Sequence, residues 1–196
     1  MLLGVIPIGL ISKPTTVRAE GEFVRLLPAA ETSVSPQLNK KKPLGPREAG
    51  AVQRTGGNYD AYMRFDLESL LDKEPESLKQ VSLRFTVLRT SEKDSIPIRI
   101  YLMPENGWNE NMTYESRPSS LGEVMIAQAS IVPESGKTPS VAEVDLTDYA
   151  RKWMEEGRTQ VSLHLAAPKS GEVVTYAAGD YEDPAFRSCL KIVTGT

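Results

Sequence analysis

Arg64, Arg84 and Arg99 occupy the same kind of position. Each stands opposite the apolar residues of a stretch that alternates with a period of two, as do Tyr62, Thr86 and Tyr101. Between Asn58 and Leu67, the residues Ala61, Met63, Phe65 and Leu67 fall on one face, and Tyr62, Arg64 and Asp66 on the other. Such alternation marks a strand with one buried face. If these strands share a sheet, its solvent side carries Arg and Tyr together. Guanidinium forks bind carboxylates through paired hydrogen bonds, and Tyr offers a flat ring for a sugar to lie on. That chemistry suits a uronic-acid polymer. The alternative is cross-strand ion pairing with Asp66 and its neighbours. A second basic set, Lys40, Lys41, Lys42, Arg47 and Arg54, is opposed only by Glu48. It reads either as further binding surface or as an exposed loop.

Other chemistry is poorly supplied. The chain has one His, His164, and one Cys, Cys189. That excludes an intramolecular disulfide framework and a Cys/His zinc site. His164 alternates with Leu163 and Leu165 and is expected to point away from the core, in a structural or solvent-facing role. Cys189 reads as a small filler. Trp108, Glu110, Thr113 and Tyr114 form either a sugar-stacking loop or a loop anchored on the strands below. Asp180 and Asp183 read as fixing a turn with Pro184, as chelating a cation, or as pairing with Arg187. Calcium needs six to eight oxygen ligands, and no ligand set can be assigned, so no cofactor is expected and the metal state is open.

The elements that must position these residues are short strands. Gly and Pro together make up 28 of 196 residues, which favours turns over long helices. Strands are expected at Glu22–Leu27, Ala51–Arg54, Asn58–Leu67, Val81–Val87, Ile96–Leu102, Gly122–Val132, Val141–Leu146, Val161–Leu165, Val173–Ala177 and Phe186–Val193. Glu68–Lys73 has room for one helical turn. Thr147–Glu156 is the one credible longer helix, with Gly157 to end it. The expected class is all-β, a jelly-roll β-sandwich with one short helix. The apolar run Met1–Ile11 is too short to span a bilayer, so no transmembrane segment is expected. It reads as a signal peptide over 1–19 that lacks a basic n-region, leaving one domain over 20–196 in a secreted or cell-surface protein. A net charge of −3 argues against a nucleic-acid partner.

Four stretches arrive in a telling order: Tyr62-Met-Arg-Phe-Asp-Leu67; Gly107-Trp-Asn-Glu-Asn-Met-Thr-Tyr114 with Arg117-Pro118; Val144-Asp-Leu-Thr-Asp-Tyr149 with Trp153 and Gly157; and Tyr176 to Pro184 with Arg187 and Leu190. Together, over about residues 22–194, they resemble the bacterial DNRLRE domain family, also called carbohydrate-binding module family 96. Tyr114 stands where Trp is commoner, and Ser188 where Pro is usual. The resemblance implies a jelly roll without catalytic machinery, an accessory of polysaccharide-degrading enzymes or cell-surface proteins, with alginate as the associated ligand. The expected partners are an acidic polysaccharide and a catalytic or cell-surface protein. The expected binding residues are Lys40, Lys41, Lys42, Arg54, Tyr62, Arg64, Arg84, Arg99 and Tyr101. Two rivals stay open. An extracellular structural or adhesion domain would lock Arg64, Arg84 and Arg99 in internal ion pairs. A small lyase or hydrolase would need a cleft holding a Tyr and a base, or two carboxylates about 5–10 Å apart.

Overall fold

Period-two patterning puts apolar residues on one side of each strand, and in the computed structural model those sides face one another. The structure describes residues 23–41, 52–91, 95–132, 139–167 and 171–195. The expected leader, Lys42 and Arg47 lie outside these residues. In chain order the strands are β1 (Phe23–Leu26), β2 (Ala30–Val34), β3 (Val52–Thr55), β4 (Asp60–Asp66), β5 (Leu78–Thr90), β6 (Ile96–Leu102), β7 (Val124–Ile131), β8 (Ser140–Asp145), β9 (Gln160–Ala166), β10 (Val174–Ala177) and β11 (Cys189–Thr194). The helices are the single turn α1 (Glu68–Leu71) and α2 (Thr147–Glu155).

One sheet runs β1-β11-β5-β10-β3, with β8 also paired to β5; the other runs β2-β4-β9-β6-β7. Each strand pair is antiparallel. The long β5 organises the first sheet, pairing with β11 over its first half, with β10 over its last residues and with β8 through its middle. The chain is thus an all-β sandwich with one helix of more than a turn among the described residues.

The core lies between the sheets. Met63 and Phe65 of β4, Ile98 and Ile100 of β6, and Leu163 and Leu165 of β9 meet Leu83 and Phe85 of β5, Tyr176 of β10 and Leu190 and Ile192 of β11. All are essentially unexposed, and each such side chain contributes roughly 1.5–3 kcal/mol. The Phe85 and Tyr176 rings pack tilted, 5.5 Å apart.

Helix α2 closes one end. Its first turn is held from outside by Asp145, whose carboxylate accepts the Thr147 N–H at 2.8 Å and the Thr147 hydroxyl. The Thr147 hydroxyl oxygen accepts the Val81 N–H, tying the helix to β5. Gly157, at φ +65°, ends it. The Gly157 N–H bonds Met154 O and the Arg158 N–H bonds Trp153 O, the pairing a left-handed residue permits. Trp153, 1% exposed, faces the core.

β2 is the strand the sequence does not announce. Its residues Ala-Glu-Thr-Ser-Val are all buried. A second apolar cluster lies on the outer side of its sheet, made of Ala30, Val34, Tyr62, Met103, Trp108 and Met112, with Tyr114 packed against it. The segment that follows β6 therefore folds back over the outer face of the sheet at β2 and β4.

Candidate functional site

Strand register decides which side chains gather at the edge of this cover. Tyr62 of β4 pairs with His164 of β9, and His164 pairs with Tyr101 of β6. Their chain neighbours Met63, Leu163, Leu165 and Ile100 are in the core, so all three rings stand on the outer face. They form a row. Tyr62 and His164 stack with centroids 4.8 Å apart and planes 12° apart, and Tyr101 stacks on the other side of His164 at 5.7 Å.

The covering segment is pinned along one flank. Trp108, 7% exposed, donates from Nε1 to Ser162 Oγ at 3.0 Å and leans on Tyr62 at 5.9 Å. Arg64 lies over the Trp108 ring and donates to the carbonyls of Asn106 and Trp108 at 2.9 and 2.6 Å. Glu110 accepts the Glu31 N–H. Thr113 and Ser116 exchange side-chain and backbone hydrogen bonds that set the next turn. Trp108 therefore anchors a loop, with its indole turned inward. Beyond this flank the segment leaves an open cleft of about 450 Å³, lined by Asp60, Tyr62, Arg117, Pro118, Ser119, Ser120 and His164.

Four charges alternate through the cleft. Glu123, buried at the head of β7, holds His164 Nδ1 at 3.0 and 3.1 Å. His164 Nε2 faces Asp60 Oδ1 at 3.4 Å, and Asp60 Oδ2 faces Arg117 Nε at 3.5 Å. The Arg117 guanidinium lies over the Tyr114 ring at 3.6 Å and donates to Tyr114 O. Burial alone would lower the imidazole's affinity for its proton; the carboxylates of Asp60 and Glu123, one on each side, outweigh it and push His164 up to about 9. His164 is therefore a cation at neutral pH. Burial, reinforced by Asp60 and Glu123, pushes the Tyr62 hydroxyl well above the ordinary phenol range.

The expected site residues divide between the two sheets. Tyr62, Arg64, Arg99 and Tyr101 share the outer face of one sheet, with β9 between the pairs. Arg84 does not join them: β5 belongs to the opposite sheet, where Arg84 meets Glu143 at 3.6 Å and donates to Ala185 O. Arg54, exposed on β3 of that same opposite sheet, lies over the Tyr59 ring. Of the three arginines, only Arg84 has a carboxylate partner among the described residues; Arg64 is spent on carbonyls, and Arg99 Nε is buried without a hydrogen-bond partner. Asp66 accepts from Gln160 instead. Lys40 and Lys41 are exposed. Backbone bonds from Tyr114 N to Asn39 O and from Glu115 N to Lys40 O set that segment beside the turn carrying Arg117.

The residues that sequence reasoning missed are Asp60, Arg117, Glu123 and the placement of His164 between two Tyr rings. Arg117-Pro118 was visible only as part of a motif. The His164 placement depends on strand adjacency, which periodicity does not reveal. Asp183 and Arg187 serve their turn: Asp183 accepts the Ala185 N–H at 2.9 Å, and Arg187 donates to Tyr181 O. Among the described residues no group of three or more His, Cys, Asp and Glu side chains is arranged to hold a metal ion.

A separate ionisable group sits in the interior. Glu31, on the core side of β2, accepts the Gly179 N–H at 2.6 Å and lies beside the Tyr176 hydroxyl. Burial pushes its carboxyl up to about 8; the Gly179 bond opposes this, and the charges of Asp180 and Glu110 add to it.

Among curated proteins none matches the chain. A family model does: carbohydrate-binding module family 96 matches residues 22–191, which takes in all of both sheets but the last three residues of β11, the covering segment and every residue that lines the cleft. The chain belongs to carbohydrate-binding module family 96.

Proposed function

We propose that the chain is a secreted, non-catalytic module that holds an acidic polysaccharide such as alginate along the cleft over β4, β9 and β6. The observation that carries this reading is the cleft itself, floored by the buried Tyr62 and His164 and rimmed by Arg117, with Lys40 and Lys41 exposed on the adjoining segment. Ser119 and Ser120 offer hydroxyls to the polar edge of a sugar. The four charges in the cleft sum to zero, so the preference for a polyanion falls to the rim lysines and to how the cations below are used.

The ionisation states favour binding over bond cleavage. A lyase would need Tyr62 or His164 to take a proton. The Tyr62 hydroxyl is held neutral and His164 is held charged, so neither is a base at neutral pH.

Affinity electrophoresis against alginate, pectate, a sulfated glycan and a neutral glucan, at low and moderate salt, tests the reading. Retardation by the uronates that weakens with salt, and with Lys40→Ala/Lys41→Ala or Arg117→Ala, is expected. Retardation by the neutral glucan alone overturns the acidic preference. No retardation by any polymer transfers the weight to a structural, surface-assembly domain.

A further inference from the structure

The Asp60 carboxylate bridges two cations and satisfies neither. Its Oδ1 stands 3.4 Å from His164 Nε2 and its Oδ2 stands 3.5 Å from Arg117 Nε. Charge-assisted bonds of this type close to ~2.7–2.9 Å when geometry allows. Both separations here are longer. His164 Nε2 accordingly remains buried without a hydrogen-bond partner, in a residue only 8% exposed. Both cations are fixed from behind. Glu123, its side chain 7% exposed, grips Nδ1 and so aims Nε2 into the cleft. Tyr114 carries the Arg117 guanidinium on its ring face and takes one N–H on its carbonyl. Two donors thus converge on two oxygens of one planar group, and the side chain now between them is about one-third exposed.

We propose that Arg117 and His164 form a seat for a single sugar carboxylate, and that Asp60 occupies this seat in place of the ligand and competes with it. The inference rests on the binding reading above and names the group by which the cleft would recognise a uronic acid. The class of ligand follows from the present occupant. One oxygen per donor in one plane is the shape of a carboxylate, and a free carboxylate, untethered to β4, can approach both donors to full hydrogen-bond distance. Asp60 also sets selectivity. With it the cleft is neutral, so a polyanion gains little from bulk attraction and must replace Asp60 in register. Without its charge the cleft carries one net positive charge.

Two measurements on the full chain test this. The first compares the parent, Asp60→Asn and Arg117→Ala in calorimetric titrations with oligouronate and neutral glucan. Asn keeps the size of Asp and removes its charge, so the oligouronate should bind about three- to tenfold more tightly, with the glucan unchanged. Arg117→Ala should weaken the oligouronate. Unchanged or weaker oligouronate binding by Asp60→Asn, with Arg117→Ala still deleterious, overturns the competing role of Asp60 and leaves the binding reading standing. The second does not depend on polymer binding. The chain has a single His, so the ¹⁵N resonances of His164 report the seat directly. Galacturonate should shift Nε2, more so in Asp60→Asn, and galactose should not. The absence of a galacturonate shift in both proteins overturns the seat even if a polymer binds elsewhere. A shift with galactose 6-sulfate but none with galacturonate overturns the assignment to a carboxylate.

Discussion

Replacing Glu31 by Gln should stabilise the protein at alkaline pH and leave it nearly unchanged in acid. The Glu31 carboxyl ordinarily ionises at 4.5 and is pushed up to about 8 in the folded chain. Its protonated form is thus the one the fold accepts. Below 4.5 both folded and unfolded chains carry the proton and nothing is lost. As pH rises from 4.5 through about 8, the unfolded chain releases the proton first, and the folded state loses stability relative to it. Each tenfold step in proton affinity is worth ~1.4 kcal/mol, so the accumulated loss is about 3 kcal/mol at pH 7 and as much as ~5 kcal/mol at pH 9. A carboxamide has no proton to lose and can still accept the Gly179 N–H. Urea unfolding followed by the fluorescence of Trp108 and Trp153, both buried, gives the stability of each protein at pH 5, 7 and 9 by linear extrapolation. His164 titrates in part of the same range, but both proteins contain it, so their difference isolates Glu31. Parity within about 1 kcal/mol at pH 5 and a gain of several kcal/mol at pH 9 are expected. A variant no more stable than the parent at pH 9 would refute the argument that burial holds this group protonated.

Trp108→Ala removes the Ser162 bond and the ring contacts to Tyr62 and Arg64, and should cost ~3–5 kcal/mol in urea unfolding. Gly157→Ala and Gly56→Ala separate two costs. Both positions have positive φ, but an added Cβ meets nothing within 4 Å at Gly157 and comes within 2.2 Å of Glu172 O at Gly56. Thermal unfolding should therefore show a loss of about 1 kcal/mol at Gly157, with a considerably larger loss at Gly56. His164 stays charged until pH rises through about 9, so oligouronate binding by the parent should decline between pH 8 and 9.5, and His164→Gln should lack that decline. Arg84→Ala should leave glycan binding unaltered in electrophoresis, since Arg84 lies on the opposite sheet.

What the sequence revealed follows from what alternation can encode. Strands with a clean period of two, such as β4 and β6, were legible because one face of each is apolar and buried. β2 was not, because it buries Glu31, Thr32 and Ser33 through specific partners: Glu31 on Gly179, and Ser33 on Gln53 at 2.7 Å and on the Arg54 N–H. The Arg and Tyr residues were correctly set on outward faces, but a strand's face does not say which sheet it joins. That is why Arg84 grouped with Arg64 and Arg99 in the sequence and parts from them in space. The Trp108 motif was recognisable, and its inward packing depends on Ser162, some fifty residues away. The alternating charges of Glu123, His164, Asp60 and Arg117 come from three separate parts of the chain: β4, β9 and the segment before β7 that carries both Arg117 and Glu123.

β1 lies against β11 in four antiparallel rungs, from Phe23 opposite Val193 to Leu26 opposite Leu190. Tension applied through residues 23 and 194 would therefore pull at one corner of the molecule and load these rungs in succession, as a zipper is loaded. Each step breaks only one or two hydrogen bonds, worth about 1 kcal/mol each. Little apolar surface comes away with them, because Phe23, Val24 and Arg25 are already exposed. The ribbon would behave as a mechanical fuse, yielding at low force and closing again when the load relaxes. The strands under the cleft belong to the other sheet and would stay unstrained while it peels.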